Sequence, residues 1–306
     1  MVDNSAFLFA GQGSQYVGMG KDLYDSFPES RAIFDKADKI LGISLSEMCF
    51  AGAPDVLKLT VNSQPAILAT TIAAYAAFKV KFPDVTPLFM AGLSLGEYSA
   101  LIAAGSLTFE DGIRLIRRRA EIMDDASRRF PGKMAAVLDL DLNKVKEICL
   151  KSGAEIANLN APGQIVISGK AEAVKEASKL CNEAGAKRVI ELEVSGGFHS
   201  SLMFPASVEL KSFLQNIAIG QAVVPVVSNY TAALEYRPAQ IRENLVYQMY
   251  SSVRWEESIR LLVSQGVTKF YEFGPGKVLK GLMRRIEPSA QVVSIEKKED
   301  ILNLQN

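Results

Sequence analysis

Histidine occurs once in the 306 residues, at His199, and cysteine three times, at Cys49, Cys149 and Cys181. One imidazole excludes a multi-histidine metal site, and no Cys/His cluster has zinc spacing. The three thiols, far apart and odd in number, argue against a disulfide framework. Charge of one sign is also lacking: 34 Lys and Arg offset 34 Asp and Glu, so no whole-molecule field draws the chain to nucleic acid or an anionic membrane surface. No hydrophobic run reaches the roughly 20 apolar residues of a membrane span. The N-terminal MVDNSAFLFAGQG has no basic segment and too short an apolar run for a secretory leader, which makes the cytoplasm the expected location. Repeats and low-complexity segments are missing as well.

What is there is 48% apolar residues, enough to bury a sizeable core in one large body or in a large and a small one. Strand-like SAFLFAG and PLFMAGL alternate with helical PAILATTIAAYAAFKVKF and EDGIRLIRRRAEIM, the pattern of an α/β fold with a mainly parallel sheet. From about Lys133 the texture changes. MAAVLDL, AEIANLN, QIVISG and AKRVIELEV read as strands, and LNKVKEICLKSG and AEAVKEASKLCNEAG as helices. That βαββαβ order fits a ferredoxin-like subdomain inserted in the larger one. After Gly196-Gly197 the larger body resumes, with VVPVVSNY and VTKFYEFG as further strands. The expected division is 1–130 with 197–306 for the large catalytic body and 131–196 for the small one. A cleft between them is the default place for a ligand.

Gly92-Leu93-Ser94-Leu95-Gly96 matches G-x-S-x-G, a nucleophile elbow, in which a strand ends, the chain turns sharply and a helix begins. Small residues on both sides let the backbone fold back on itself, so that the serine Oγ projects from the turn. The helix N-terminus behind it offers N–H groups and a positive dipole end to a developing oxyanion. The bland alternative is a turn whose serine caps the helix. A serine hydroxyl needs a base, and His199, in SGGFHSSLM, is the one imidazole available. No acid stands at a motif position to orient it, which leaves a Ser-His dyad held by a backbone carbonyl as plausible as a full triad.

The run Arg117-Arg118-Arg119 would ordinarily be a solvated helix face. Helical spacing separates the three: Arg119 has Leu115, Ile116, Ile122 and Met123 three and four residues away, whereas Arg117 and Arg118 have Arg114 and Glu121. Arg119 therefore points into the apolar arc and needs an anion, suited by its planar fork to a carboxylate. The two readings are an internal bridge to Asp or Glu, and a carboxylate brought by the substrate. GQGSQ, Gly11 to Gln15, lacks the lysine of a P-loop and fails dinucleotide spacing at Tyr16, and GPGK at Gly274 to Lys277 reads as a turn.

Taken together, GQGSQ, GLSLGEYSA at Gly92 to Ala100, Arg119, FHSSLM at Phe198 to Met203, Gln248 in QMYSSVRW and EFGPGKVLKGL at Glu272 to Leu282 resemble the malonyl-CoA:acyl carrier protein transacylase family, from about Ala6 to Val293. The resemblance implies a hydrolase-like α/β domain with a ferredoxin-like insertion. It implies Ser94 as the acylated nucleophile, His199 as its base, and the N–H groups of Gln12 and Leu95 as the oxyanion hole. Arg119 would pair with the malonyl carboxylate, the carbonyl of Gln248 would orient the histidine, and Asn160 would line the cleft. Phe198 resembles members that take malonyl, since methylmalonyl-selective relatives carry a smaller residue there. Many members have histidine before the nucleophile, where this chain has Leu93.

The implied activity is ping-pong transfer of malonyl from malonyl-CoA to the phosphopantetheine thiol of an acyl carrier protein for fatty acid synthesis, by a cytoplasmic monomer without a cofactor or metal. A stand-alone polyketide acyltransferase is the nearest alternative. A serine thioesterase or other hydrolase, or a non-catalytic carrier-binding protein, is a further one. Acyl carrier proteins are acidic, so Arg117, Arg118, Lys277, Lys280, Arg284 and Arg285 are candidates for a local docking patch.

Overall fold

The computed structural model describes residues 4–304; the first three residues of the stretch read for a leader, and the two extreme ends of the expected large body, lie outside these. The described strands are β1 (Ser5–Phe9), β2 (Phe89–Gly92), β3 (Gly132–Leu138), β4 (Glu155–Ala161), β5 (Gln164–Lys170), β6 (Arg188–Glu191), β7 (Val226–Val227), β8 (Leu234–Glu235), β9 (Lys269–Phe273) and β10 (Gln291–Ile295). They form two sheets.

The larger sheet has the order β10-β9-β1-β2-β7-β8, parallel throughout except for β8, which runs antiparallel to β7 at the edge. Its central strand SAFLF is buried at every position, as a strand covered on both faces must be, and carries no polar alternation. Phe7 and Phe9 meet Phe273 of β9 at ring-centroid distances of 5.0 and 5.6 Å, which ties the middle of the sheet into an aromatic cluster with Tyr75 and Phe78. Those two belong to the Thr60–Lys81 helix, which is buried along nearly its whole length.

That helix begins at Thr60, ahead of the apolar run from Pro65 that marks it in the sequence. Pro65 cannot donate to the carbonyl four residues back, that of Val61. Arg117 Nη1 donates to Val61 O instead at 2.9 Å, so the proline stays inside the helix without stranding an acceptor. VVPVVSNY yields only the two-residue β7. The chain turns away at Ser228, whose carbonyl accepts from Ala232 N.

The smaller sheet has the order β4-β5-β3-β6, antiparallel at every pairing, with the Leu142–Ser152 and Ala171–Glu183 helices packed through Val145, Ile148, Val174, Ala177 and Cys181 onto its Ala135, Val137, Ile165 and Ile167. Its edge strand β4 is fastened to the rest of the chain. Leu159 N donates to Val253 O at 2.9 Å and Val253 N to Ala157 O at 2.8 Å. Glu155 accepts from Ser201 N with both carboxylate oxygens, each at 3.0 Å. These ties bring the small sheet beside the segment that carries His199. No helix among the described residues is long and apolar enough to cross a membrane.

Candidate active site

Ser94 stands between the end of β2 and the Leu95–Ala103 helix, with φ 51° and ψ −102°, a conformation that L residues rarely adopt. The flanking glycines make it possible. A Cβ on Gly92 would lie 2.0 Å from the Gly96 carbonyl group, and one on Gly96 would lie 2.1 Å from Phe9 O, so neither position admits a side chain. Asn229 locks the turn: Ser94 N donates to its Oδ1 at 2.6 Å, and its Nδ2 donates to Gly92 O at 2.8 Å. The Ser94 side chain caps nothing. Its Oγ lies 2.8 Å from His199 Nε2, the arrangement of a nucleophile and its base.

His199 sits in the Gly197–Ser200 turn at φ 55°, with Nδ1 2.8 Å from the backbone carbonyl of Gln248. A carbonyl can only accept, so Nδ1 carries the hydrogen and Nε2 presents its lone pair to the Ser94 hydroxyl. Burial, reinforced by the nearby Arg119 charge, lowers the imidazole pKa from 6.5 to about 4. At neutral pH the ring is therefore uncharged and able to take a proton.

Arg119 is 1% exposed, although it belongs to the amphipathic Phe109–Arg129 helix. Nη1 donates to Gln64 Oε1 at 2.8 Å, and Nη2 lies 3.2 Å from both Ser94 Oγ and Gln248 Oε1. The guanidinium also lies 5.2 Å from the Tyr98 ring centroid. Among the described residues it forms no ion pair, unlike Arg117 and Arg118, which pair with Glu121. Its Nε is buried without any hydrogen-bond partner. The internal Asp/Glu bridge is thus not formed, and a buried fork of donors beside the serine has capacity left for an anion.

Gln12 and Leu95 each present a backbone N–H that donates to no acceptor among the described residues. Leu95 opens the helix behind Ser94. Gln12 follows Gly11, whose Cα approaches the chain so closely that a Cβ would lie 2.4 Å from Leu93 O. Leu93 itself is half-buried in an apolar cluster, so the position before the nucleophile contributes packing here. Phe198 is buried beside His199. Asn160, on β4, is half-buried, and no hydrogen bond joins it to the Ser94 group; its Oδ1 is buried without a partner. A cleft of about 830 Å³, lined by His199, Tyr250, Ser251 and Ser252 on one side and by Lys146, Glu155 and Ile156 on the other, opens onto the histidine. A nucleophile, a neutral base that opens onto a cleft, free N–H donors and an unpaired guanidinium can together do acyl transfer with an anionic acyl group.

Comparison with known proteins decides the family. Residues 6–296 match the model of the acyl transferase domain. A malonyl CoA-acyl carrier protein transacylase of Bacillus subtilis (strain 168) is 48% identical over 301 residues, spanning 97% of this chain and 94% of that protein. The chain belongs to the malonyl CoA-acyl carrier protein transacylase family. The structure of an acyl carrier protein S-malonyltransferase from Vibrio cholerae superposes with a TM-score of 0.95 at 36% identity, covering 99% of this chain and 100% of that one. A malonyl-transacylase in complex with its type II polyketide acyl-carrier protein superposes at 0.94, with 37% identity and 98% of each chain covered. This transacylase family member thus has an α/β acyltransferase fold over essentially its whole length.

The sequence reading missed the polar side chains that hold the family's motifs in place. Asn229 clamps the elbow, Gln64 holds the guanidinium, and Glu97 accepts from both Asn229 N at 2.9 Å and Gln248 Nε2 at 2.8 Å. A signal existed for two of them. Gln64 is the amide next to Pro65 where the apolar run of its helix begins, and Glu97 lies three residues past the nucleophile, one turn from its backbone.

Proposed function

We propose that this chain transfers the malonyl group from malonyl-CoA to the phosphopantetheine thiol of an acyl carrier protein through a malonyl ester on Ser94. The observation that carries the reading is the placement of an unpaired, buried guanidinium 3.2 Å from the same Oγ that lies 2.8 Å from His199. In the first half-reaction His199 Nε2 takes the Ser94 proton as Oγ attacks the thioester carbonyl. The N–H groups of Gln12 and Leu95 receive the oxyanion, and the imidazolium returns the proton to the departing CoA thiol. The carrier thiol then attacks the ester by the same route, with His199 as its base and Ser94 as the leaving group. Gln248, through its carbonyl, stabilises the imidazolium that forms in each half. Arg119 pairs with the free malonyl carboxylate, using Nη2 and the unpartnered Nε, and so selects a dicarboxylic acyl group. Phe198 bounds the room beside the acyl α-carbon. Asn160 lines the cleft farther out. No step calls on a metal or redox cofactor.

The division into a hydrolase-like body, 1–130 with 197–306, and a ferredoxin-like body, 131–196, accounts for a cleft at their junction. The βαββαβ order and the β4-β5-β3-β6 sheet support it. A cytoplasmic monomer serving fatty acid synthesis is the setting that fits. The likeness to a transacylase bound to a polyketide carrier keeps a polyketide role as the second reading.

Intact-mass measurement tests the reading. Brief exposure to malonyl-CoA should add one malonyl group to the wild type and none to Ser94→Ala, and holo-carrier protein should discharge it. Release of free malonate without transfer would make the chain a hydrolase, and no adduct at all would refute the covalent route. Presenting fatty acid and polyketide carriers in turn separates the two pathways.

A further inference from the structure

Two fully buried carboxyl groups close to Ser94 are left unused by the transfer chemistry. Glu97 is on the Leu95–Ala103 helix and Glu235 on β8, and both are 0% exposed. Each has one oxygen occupied. Glu97 Oε2 accepts from Asn229 N at 2.9 Å and from Gln248 Nε2 at 2.8 Å, while Glu235 Oε2 accepts from Asn244 Nδ2 at 2.6 Å. Each also has one oxygen, Oε1, buried without a donor. The amides that hold them, Asn244 and Gln248, stand one turn apart on the same face of the Pro238–Gln248 helix, which sets the two carboxyl groups side by side. Two carboxylates at that range, in a dry site, repel and cannot bond; one proton between them satisfies both orphan oxygens. The charge belongs on Glu97, which has two N–H donors and the Arg119 guanidinium nearby. Glu235, with one amide donor and no cation, holds the proton. Burial pushes both carboxyl groups upward, toward holding a proton.

Gln64 holds one arm of the guanidinium on its own, but the other side chains that order the reacting atoms meet at Glu97. Gln248, held at Nε2 by Glu97, donates from the same nitrogen to Ser94 O at 3.0 Å, accepts from Arg119 through Oε1 and accepts from His199 through its carbonyl. Asn229, held at its backbone N by Glu97, clamps Ser94 N and Gly92 O. We propose that Glu235 and Glu97 share one proton, and that the Glu97 carboxylate so anchored is the positioning residue that sets Ser94, His199 and Arg119 through Gln248 and Asn229. It is also the buried counter-charge of Arg119, reached through Gln248, that leaves the guanidinium free for substrate.

The proposal makes the two carboxyls unequal, and that asymmetry is the test. In Glu235→Gln the amide N–H replaces the shared proton and the amide oxygen still accepts from Asn244, so kcat for malonyl transfer should fall by less than about threefold. In Glu97→Gln the counter-charge is lost and the hub is neutral, so kcat should fall about a hundredfold, the size of a misplacement on the order of 1 Å. A pair that mattered only for packing would respond alike to the two amides. Equal losses, a larger loss in Glu235→Gln, or wild-type kcat in Glu97→Gln would overturn the proposal. Should Glu97→Gln fail to fold, infrared difference spectra of wild type against Glu235→Gln decide. A protonated-carboxyl C=O band at neutral pH, present in the wild type and gone from the variant, is expected, and its absence from the wild type would refute the shared proton. The proposal rests on the acyl-transfer reading of Ser94. The infrared band is read without substrate and wild-type acylation is measured alongside, so failure of acylation in the wild type counts against that reading alone.

Discussion

A base that must accept a proton at neutral pH is better kept uncharged, and burial beside a guanidinium does that to His199. Because kcat/KM follows the free enzyme, its acid limb for malonyl-CoA should fall near pH 4 and not near 6.5. Initial rates of Ser94 acylation between those values test this, and a limb at the ordinary histidine value would contradict it. Stability responds in the same direction, but from a higher pH. The unfolded chain takes up a proton at about pH 6.5 that the folded site refuses until about 4, so this residue's share of stability is lost as pH falls through that interval. Arg119 is the other residue whose isolation has a consequence. With no carboxylate of the protein paired to it, Arg119→Ala should cost about a hundredfold or more in kcat/KM for malonyl-CoA, the worth of two charge-assisted hydrogen bonds. Transfer of acetyl should suffer far less. An unchanged malonyl-to-acetyl preference would remove Arg119 from substrate recognition. Phe198→Ser, which opens space beside the base, should raise the kcat/KM ratio of methylmalonyl-CoA to malonyl-CoA, and an unaltered ratio would end its role as gate.

At the scale of elements, the elbow depends on backbone approach more than on any side chain. Gly96→Ala forces a Cβ to within 2.1 Å of Phe9 O in the central strand, contact that only backbone movement can relieve. The variant should unfold at markedly lower temperature and lose acylation altogether, whereas Gly153→Ala, at a helix C-cap with open space around it, should lose stability mildly through its φ of 76° and remain active. Thermal unfolding of the two side by side checks the contrast. The elbow was legible in the sequence because its strand, glycines, serine and helix are contiguous, and the inward face of Arg119 was legible because helical spacing is local. The start of the Thr60–Lys81 helix was hidden by Pro65, whose orphaned carbonyl partner is served from another helix. The supporting hub was hidden for a related reason. Glu97 is more than 130 residues from Asn229, Glu235, Asn244 and Gln248, which it joins only in the fold, and a buried Glu reads on the page like any solvated one. β7, β8 and β10 are short or marginal segments whose strand state is set by the sheet they join, not by their own pattern.

At the scale of the molecule, a chain with no net charge must attract an acidic carrier with a local surface, and the ion pairs decide which of the candidate cations are free to serve. Arg118 is engaged by Glu121 and Glu209, Arg117 by Glu121, and Arg285 by Asp139. Lys277, Lys280 and Arg284 have no ion-pair partner among the described residues, and their spacing of three and four residues aligns them along one side of the Val278–Ile286 helix. That helix follows the Gly274–Gly276 turn, which packs against Ser14 in the same loop that carries Gln12. The stripe therefore starts beside the loop that carries Gln12, which makes it the surface predicted to receive the carrier. Lys280→Glu with Arg284→Glu should raise the KM for carrier protein about tenfold at low salt, with the difference shrinking as salt is added, and should shift the KM for malonyl-CoA less. Arg118→Glu, whose charge is already spoken for, should leave the carrier KM near its wild-type value. If the Arg118 variant alone weakened the carrier, docking would belong to the Phe109–Arg129 helix instead, and the free stripe would be only a solvated face.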